Sequence, residues 1–348
     1  MKRLVILSFM IIILIFSCTK KSNIQTDKNT KDVIQKKKIG LALGYGGIGD
    51  QSFNDMQYNG LINASRKFNI EISYKIPQKD DEATMIAILE ELVTEKCDLI
   101  IASGYLMINP VEVVGAKYPE IMFALLDEYA KPRNNVLTVV YSQHEGSFVV
   151  GALAGMVTKT NKIGFIGGVN IGVIDAFLIG FQEGVSYSNK KASILVEYCS
   201  LLPDFSGFSN PDKGYNIAKK LYQEDCDIIY SVAGGTGNGI IQAAKDYEKF
   251  VIGVDANQDH LAKGYVLTSM MKRLDITVVD LCDKFIKGEL KGNNIYEYGY
   301  KNGGVSITEM EYTKDKIEPK ILNKVKEIEQ LIKDDKIKVT NTLKNELK

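Results

Sequence analysis

Short apolar runs alternate with longer amphipathic segments along most of the chain. The runs that we predict to be strands lie at residues 39–43, 70–75, 98–103, 121–126, 137–141, 163–167, 194–199, 228–232, 251–254 and 266–270. The intervening segments that we predict to be helices include residues 52–68, 82–96, 145–158, 212–224 and 239–249. Strands that alternate with helices form parallel sheets covered by helices on both faces. The pattern therefore predicts a doubly wound α/β architecture.

The two halves of this pattern repeat each other. Three pairs of segments correspond in the same order, at 38–46 and 162–169, at 95–101 and 224–230, and at 121–127 and 251–255. The helices after the first pair carry Phe53 and Gly60 in one half, and Phe177 and Gly184 in the other. The offsets are all roughly 125 to 130 residues, as a duplicated unit requires. We therefore expect two similar Rossmann-like lobes whose strand ends face each other across a cleft.

The C-terminal part of the chain departs from a simple succession of two lobes. It contains a predicted strand at 266–272, a helix at 274–288, a short strand at 296–300 and a charged helix at 318–335. These elements allow the chain to cross back to the first lobe and then return to the second, which gives a multi-stranded hinge. We expect a first lobe of residues 38–142 plus about 271–297, and a second of residues 143–268 plus about 300–348. Closure around a ligand is the motion expected of such a hinge.

The N-terminus has the pattern of an export signal. Lys2 and Arg3 precede an apolar stretch at residues 4–16, which ends at Ser17 and Cys18. A basic start, a short apolar core and a small residue before the break are typical of a secretory signal peptide. The position of Cys18 resembles a bacterial lipoprotein processing site, which makes Cys18 the expected lipidated residue. An uncleaved anchor helix is the alternative, and in both cases the rest of the chain lies outside the cytoplasm.

We therefore divide the N-terminal region into a signal peptide at residues 1–17 and a lipidated cysteine with a flexible tether at 18–37. The tether is rich in Lys, Asn, Thr, Ser and Asp and has few apolar residues, a composition typical of flexible linkers. The predicted location is the cell membrane, with a lipid anchor and an extracytoplasmic, periplasm-facing protein.

Composition and charge limit the kinds of partner and of covalent cross-link that we expect. The 348 residues are 45% hydrophobic and 25% charged, and Lys plus Arg equal Asp plus Glu at 43 each. No net positive field exists to attract nucleic acid, so we expect no nucleic-acid partner. The remaining cysteines are expected to be small buried residues, because the domain is large enough to be stable without disulfides and none has a metal-type spacing; they are Cys97, Cys199, Cys226 and Cys282.

A glycine-rich corner follows the first predicted strand. Gly44, Gly46 and Gly49 have the spacing of the dinucleotide fingerprint, but such a site needs a carboxylate at the end of the second strand. That strand ends in the basic segment 75–79, and acids come only at 80 and 81. We therefore expect no nucleotide cofactor at this corner.

Catalytic chemistry has little support in the sequence. His144 and His260 are the only histidines and are not spaced as zinc ligands. No G-x-S-x-G nucleophile motif is present. We expect no metal, no catalytic residue and no enzymatic activity.

The predicted strand ends carry residues suited to a neutral, hydroxyl-bearing aromatic ligand. Phe53 and Asn54 begin the first helix, where backbone N–H groups and an amide could bind the ligand together. Asp127 and Asp255 end strands in opposite lobes, and a carboxylate can accept two hydrogen bonds from a diol. Phe208 lies in a loop of the second lobe, so two rings could enclose a base. The alternatives are a core position for Phe53 and a helix cap for Asp255.

The glycine loop at 233–239, Ala-Gly-Gly-Thr-Gly-Asn-Gly, would let the backbone approach a ligand closely, and a plain turn is the alternative.

Five segments together resemble the Bmp/PnrA-like family, which contains the purine nucleoside receptor lipoproteins of spirochaetes and their relatives. They are DQSFN at 50–54, QHEGSF at 143–148, VAGGTGNG at 232–239, VIGVD at 251–255 and LTSMMK at 267–272. The resemblance covers nearly the whole mature chain.

The resemblance implies a type I periplasmic-binding-protein fold. It also implies a monomer that captures purine nucleosides between its lobes and delivers them to an ABC-type permease and its ATPase. Carried over from the family, Phe53 and Phe208 stack on the purine, Asn54 and Asp127 hold base or ribose, and Asp255 takes the ribose hydroxyls. The same resemblance implies that Lys272 donates near the ribose, that Gly234 and Gly235 form a backbone wall, and that Asp50 is a further candidate.

One position departs from the family. Members usually carry an acid soon after the first strand, in a Thr-Asp-x-Gly pattern, where this chain has Gly44 followed by Tyr45. The loss removes one base contact, for which Tyr45 is the candidate substitute. Three alternatives stay open: a surface adhesin that uses the fold as a scaffold, a nucleoside-cleaving enzyme acting through Asp127 and Asp255, and a sugar receptor of the same fold.

Overall fold

The structure, a computed structural model, describes residues 36–343 and contains two six-stranded sheets. The first sheet contains β1 (Lys38–Ala42), β2 (Glu71–Lys75), β3 (Leu99–Ser103), β4 (Met122–Leu126), β5 (Val136–Tyr141) and β11 (Ile295–Tyr298), in the order β11-β5-β4-β3-β1-β2. The second contains β6 (Lys162–Val169), β7 (Ser193–Ser200), β8 (Ile228–Val232), β9 (Phe250–Asp255), β10 (Val266–Lys272) and β12 (Val305–Ile307), in the order β12-β10-β9-β8-β6-β7. All neighbouring strands are parallel except β10 and β12.

Helices cover both faces of each sheet. The first lobe consists of the first sheet with α1 (Phe53–Lys67), α2 (Glu82–Thr94), α3 (Ile108–Lys117) and α8 (Leu274–Ile286). The second lobe consists of the second sheet with α4 (Gln143–Val157), α5 (Gly172–Ser188), α6 (Pro211–Gln223), α7 (Gly237–Asp246) and α9 (Pro319–Lys333). Short 3₁₀ turns lie at Tyr105–Met107, Ser206–Phe208, Gly234–Thr236, Tyr300–Asn302 and Lys314–Lys316. Strands covered on both faces are mostly apolar, as in β3 and β8, where every residue is buried and one residue of each strand is a serine.

Three segments connect the lobes and form the predicted multi-stranded hinge. The chain passes from β5 to α4, from β10 to α8, and from β11 to β12. The first and third crossings lie side by side, because the Ser142 N–H donates to the Tyr298 carbonyl at 2.8 Å. At the second crossing the Arg273 N–H donates to the Gly304 carbonyl at 2.9 Å. The doubly wound, two-lobe fold class is confirmed.

At the first two crossings, a helix packs in the lobe opposite to the strand that precedes it in the sequence. After the crossing from β5, α4 packs on α5, and after the crossing from β10, α8 packs on α1. Gly60 and Gly184, which correspond in the repeat, allow these two pairs of helices to pack closely. A Cβ on Gly60 would lie 2.7 Å from the carbonyl oxygen of Asp275, and a Cβ on Gly184 would lie 2.0 Å from the carbonyl oxygen of Phe148. A side chain at either position would push the helices apart.

The four cysteines within residues 36–343 are buried and free, as predicted. No helix in this range is both long and apolar enough to cross a membrane. The predicted signal peptide and Cys18 lie outside the described residues, as does nearly all of the tether. The residue limits predicted for the two lobes stay predictions.

Candidate ligand-binding site

A cavity of about 290 Å³ lies between the two lobes, at the carboxyl ends of their parallel strands. This is the edge at which open α/β sheets bind ligands. All ten candidate residues line it: Gly234, Gly235, Tyr45, Asp50, Phe53, Asn54, Asp127, Phe208, Asp255 and Lys272. The topology thus brings together positions that lie more than half the chain apart.

Asp50 closes the N-terminus of α1. Its carboxylate accepts hydrogen bonds from the backbone N–H groups of Ser52 at 2.9 Å, Asn54 at 2.8 Å and Asp55 at 3.1 Å. Burial raises the pKa of Asp50, and these three donors oppose the shift. The expectation that the first N–H groups of this helix bind the ligand is therefore wrong for Asn54, because a carboxylate of the protein itself already occupies that anion-binding position. Asp50 acts here as a structural cap at the wall of the cavity.

Asn54 presents its amide nitrogen to the site. Its side-chain oxygen accepts a hydrogen bond from the Gly44 N–H at 2.9 Å, which fixes the orientation of the amide. Within residues 36–343 the amide nitrogen makes no hydrogen bond. A Cβ on Gly44 would lie 3.2 Å from the Asn54 oxygen, so this corner leaves little room for a larger residue. Asn54 can therefore donate to an acceptor atom of a ligand.

Aromatic rings line the cavity from both lobes. Phe53 lies on the first lobe, and Phe177 and Phe208 lie on the second. The ring of Phe208 lies directly over Gly168, where a Cβ would come within 2.3 Å of two ring atoms. Phe53 and Phe208 are each half-buried, so part of each ring is available to a ligand. Two aromatic faces on opposite walls suit a flat, neutral ring system.

Lys272 and Asp127 form an ion pair across the lobes. Lys272 ends β10 in the second lobe, and its Nζ lies 2.8 and 2.7 Å from the two carboxylate oxygens of Asp127, which follows β4 in the first. The side chains are only 2% and 7% exposed. Burial raises the pKa of Asp127, and the Lys272 ammonium opposes that shift. Nζ also lies 4.7 Å from the ring centre of Phe177 and 5.7 Å from that of Phe53, so the cation contacts both walls.

Asp255 occupies the corresponding position in the second lobe. Asp127 and Asp255 both have a left-handed backbone, with φ of 67° and 63°, a conformation that is uncommon for residues other than glycine. The Ser52 hydroxyl of the first lobe donates to Asp255 at 2.6 Å. Burial raises the pKa of Asp255 to about 6, while Lys272 and Ser52 oppose the increase. Asp255 ends β9 and precedes an irregular loop, so the alternative role as a helix cap is wrong.

The lobes contact each other along the cavity. Besides the bond from Ser52, the Gln258 side chain donates to the Gln51 carbonyl at 3.0 Å, and that of Asn238 donates to the Asp50 carbonyl at 3.3 Å. These bonds join the segment before α1 to the second lobe, so the structure has the lobes closed on each other. The 50–54 motif therefore holds the closed arrangement together in addition to lining the cavity.

Several lining residues were not identified from the sequence. Ser103, at the end of β3, and Phe177, known only as the repeat partner of Phe53, both face the cavity. Neither histidine lines it. No group of three or more metal-ligating side chains suited to a metal ion occurs within residues 36–343. What the site offers is two aromatic walls, two carboxylates, an ammonium and an amide, which together can hold a ligand that has a flat ring and vicinal hydroxyls.

Comparison with known proteins gives matches over most of the chain. Residues 36–342 match the family model Bmp, described as ABC transporter substrate-binding protein PnrA-like. A CD4+ T-cell-stimulating antigen of Listeria innocua is 35% identical over 332 residues, covering 90% of this chain and 89% of that protein. An uncharacterized lipoprotein of Pyrococcus abyssi is 32% identical over 327 residues, covering 89% and 80%.

A solved structure extends the likeness to the fold. The ABC transporter system solute-binding protein from Aeropyrum pernix superposes with a TM-score of 0.77 at 25% identity, covering 88% of this chain and 93% of that one. The sequence match spans nearly all the described residues, and the two-lobe fold and its interlobe cavity are those of a substrate-binding protein. The chain therefore belongs to the Bmp family of PnrA-like ABC transporter substrate-binding proteins.

Proposed function

We propose that the protein is a lipid-anchored receptor that captures purine nucleosides between its lobes and delivers them to an ABC-type importer. The observation that carries the proposal is the combination of half-buried aromatic rings from opposite lobes with two strand-end carboxylates in one cavity. The purine base of a nucleoside has two faces on which Phe53 and Phe208 can stack. Its ribose has two neighbouring hydroxyls that can donate hydrogen bonds to a carboxylate.

The size and charge of the cavity support a small neutral ligand. Its volume of about 290 Å³ lies at the lower end of the range for small-molecule sites. The N-terminus of α1 is occupied by Asp50, and Asp127 and Asp255 add negative charge, so a nucleotide phosphate would meet repulsion here. A nucleoside lacks that phosphate and keeps the base and the diol.

In this proposal Cys18 carries the lipid, and the tether places the two lobes outside the cytoplasm. The N-terminal sequence pattern and the name of the lipoprotein relative from Pyrococcus abyssi support the anchor. Labelling with a radioactive fatty acid would test it: a Cys18→Ala chain should lose the label, and retained label would refute lipidation at this residue.

Calorimetry on purified residues 36–348, refolded to remove any carried-over ligand, tests the receptor proposal. We expect inosine, guanosine and adenosine to bind, with free bases and D-ribose weaker. The Phe208→Ala variant should bind about tenfold or more weakly, since base stacking contributes ~1–3 kcal/mol. Phe285→Ala is the matched control, because Phe285 is also half-buried but lies on α8 and does not line the cavity.

The outcomes separate the alternatives. No heat with any nucleoside would refute the proposal, and binding of ribose alone would indicate a sugar receptor. Full affinity in Phe208→Ala would contradict the stacking role. Incubation with inosine and detection of free hypoxanthine tests the nucleoside-cleaving alternative, and we expect the nucleoside to remain intact.

A further inference from the structure

Ser103 is a buried hydroxyl at the wall of the cavity. It is the last residue of β3, which lies in the sheet between β1 and β4. Ser103 lines the cavity, and only 3% of the residue's surface is exposed. Within residues 36–343 its Oγ has no hydrogen-bond partner. A buried hydroxyl without a partner costs free energy, so a position that retains one calls for an explanation.

The sequence repeat shows that the fold does not require a hydroxyl here. The strand 99–103 corresponds to 228–232, so Ser103 corresponds to Val232 in the second lobe. Val232 also ends its strand and also lines the cavity. One wall therefore offers a polar atom where the other offers an aliphatic side chain. Because the same strand-end position accepts valine, the serine hydroxyl is not a structural need of the repeat.

The neighbours of Ser103 indicate which part of a ligand it meets. On one side, Ser103 pairs with Leu126 of β4, the residue directly before Asp127. On the other side, the preceding residue of β3 pairs with the end of β1. The chain after β1 leads to Gly44, whose N–H donates to Asn54. Three of the charged groups follow β4 or end β9 and β10. The fourth, Asp50, lies between β1 and α1, but its carboxylate already accepts three backbone N–H groups of the protein. The polar groups that remain for a ligand from β3 towards β1 include a hydroxyl and an amide, both neutral. Carboxylates and an ammonium suit a diol, whereas a hydroxyl and an amide suit the edge of a neutral base.

We infer that Ser103 is a base-binding residue that hydrogen-bonds the polar edge of the purine, an inference that rests on the proposed nucleoside function. A hydroxyl rotates to donate to a 6-oxo group or to accept from a 6-amino group. Ser103 therefore recognises both kinds of purine with one atom. At this wall, a carboxylate in its place would only accept, and would favour bases that present N–H groups.

The test compares Ser103→Ala with Ser231→Ala by calorimetry. Ser231 is the matched control, because its Oγ is also buried and without a partner in the described chain, yet it does not line the cavity. Ligands are inosine, adenosine and the 2′,3′-dideoxy form of each. We expect Ser103→Ala to weaken all four by roughly three- to tenfold, the equivalent of one neutral hydrogen bond. Ser231→Ala should bind as the unmodified chain does.

Stability of the empty protein distinguishes a ligand contact from a structural one. Since the Ser103 hydroxyl has no partner among residues 36–343, Ser103→Ala should unfold in urea at the same denaturant concentration or a higher one. A structural hydroxyl would instead lower that midpoint when removed. Ser103→Cys, which keeps the size of the side chain with a weaker donor, should likewise bind less tightly, and it serves if the alanine variant does not fold.

The inference and the proposed function fail in different ways. If the unmodified protein binds no purine nucleoside, the proposed function is wrong. If it binds them and Ser103→Ala binds equally well, the inference is wrong. A loss that is present with inosine but absent with dideoxyinosine would also overturn it, because the hydroxyl would then contact the sugar.

Discussion

The raised pKa of Asp255 makes ligand binding depend on pH within an accessible range. Burial brings this pKa to about 6. In the proposed complex the ionised carboxylate accepts the ribose hydroxyls, so only the deprotonated protein binds tightly. With this pKa, the ionised fraction is nearly complete at pH 7.5 and falls to about one tenth at pH 5. We expect the Kd for inosine to increase about tenfold between these two values.

Calorimetric titration of inosine at half-unit intervals from pH 5 to 7.5 measures this change. Asp255→Asn should bind more weakly at pH 7.5 but with an affinity that stays flat across the range. Dideoxyinosine, which lacks the diol, should also give a flat profile with the unmodified protein. An inosine affinity that does not change with pH, or the same slope in Asp255→Asn, would refute the assignment.

The stability of the empty protein should change in the opposite direction. A carboxyl whose folded-state pKa lies above its unfolded value binds a proton in the folded state first, so acidification stabilises the fold. For Asp255 the shift from 3.8 to about 6 corresponds to about 2 kcal/mol between pH 7 and pH 4. Urea unfolding of the unmodified chain and of Asp255→Asn at both pH values isolates this contribution: on acidification the unmodified chain should gain about this much free energy of unfolding relative to the variant. A gain of equal size in Asp255→Asn would contradict the argument.

Three further predictions test the packing around the site. Lys272→Met leaves Asp127 buried without its cation, so the free energy of unfolding in urea should fall by about 3–5 kcal/mol, and adding Asp127→Asn should recover part of the loss. Gly168→Ala places a Cβ 2.3 Å from the Phe208 ring, so calorimetry should show nucleoside affinity falling about tenfold with little change in stability. Gly184→Ala overpacks α4 against α5 and should cost about 1–3 kcal/mol in urea, with affinity unchanged once folded.

The sequence predicted most of the fold because its central strands are mostly apolar and its repeat is clear. Ten strands and most of the helices were expected near their observed positions, and so was the crossing back through β11, whereas no range was predicted for α3. β12 was not expected, because a three-residue antiparallel strand, Val-Ser-Ile, carries no usable period. Its place depends on pairing with β10, which is a tertiary contact.

The candidate site was predictable where chemistry follows a strand. Asp127 and Asp255 can be predicted as site residues because they are acids directly after apolar runs. Lys272 was predicted as a site residue only from the family resemblance. Its ion pair depends on the topology, which brings the end of β10 beside the end of β4. The capping role of Asp50 depends on the left-handed backbone at Gln51, with φ of 55°. A serine at a strand end gives no signal of its own, so Ser103 required the structure.

The exchange of α4 and α8 between the lobes has a consequence for how the chain folds. The inner face of α1 is covered by α8, which lies more than 200 residues later in the sequence, and the edge of the first sheet is completed by β11. The first 105 or so residues of the folded part therefore cannot complete their own core as they emerge. We therefore expect the first lobe to complete its core only after α8 has been synthesised, and a fragment of the first lobe that ends before α8 should remain unfolded.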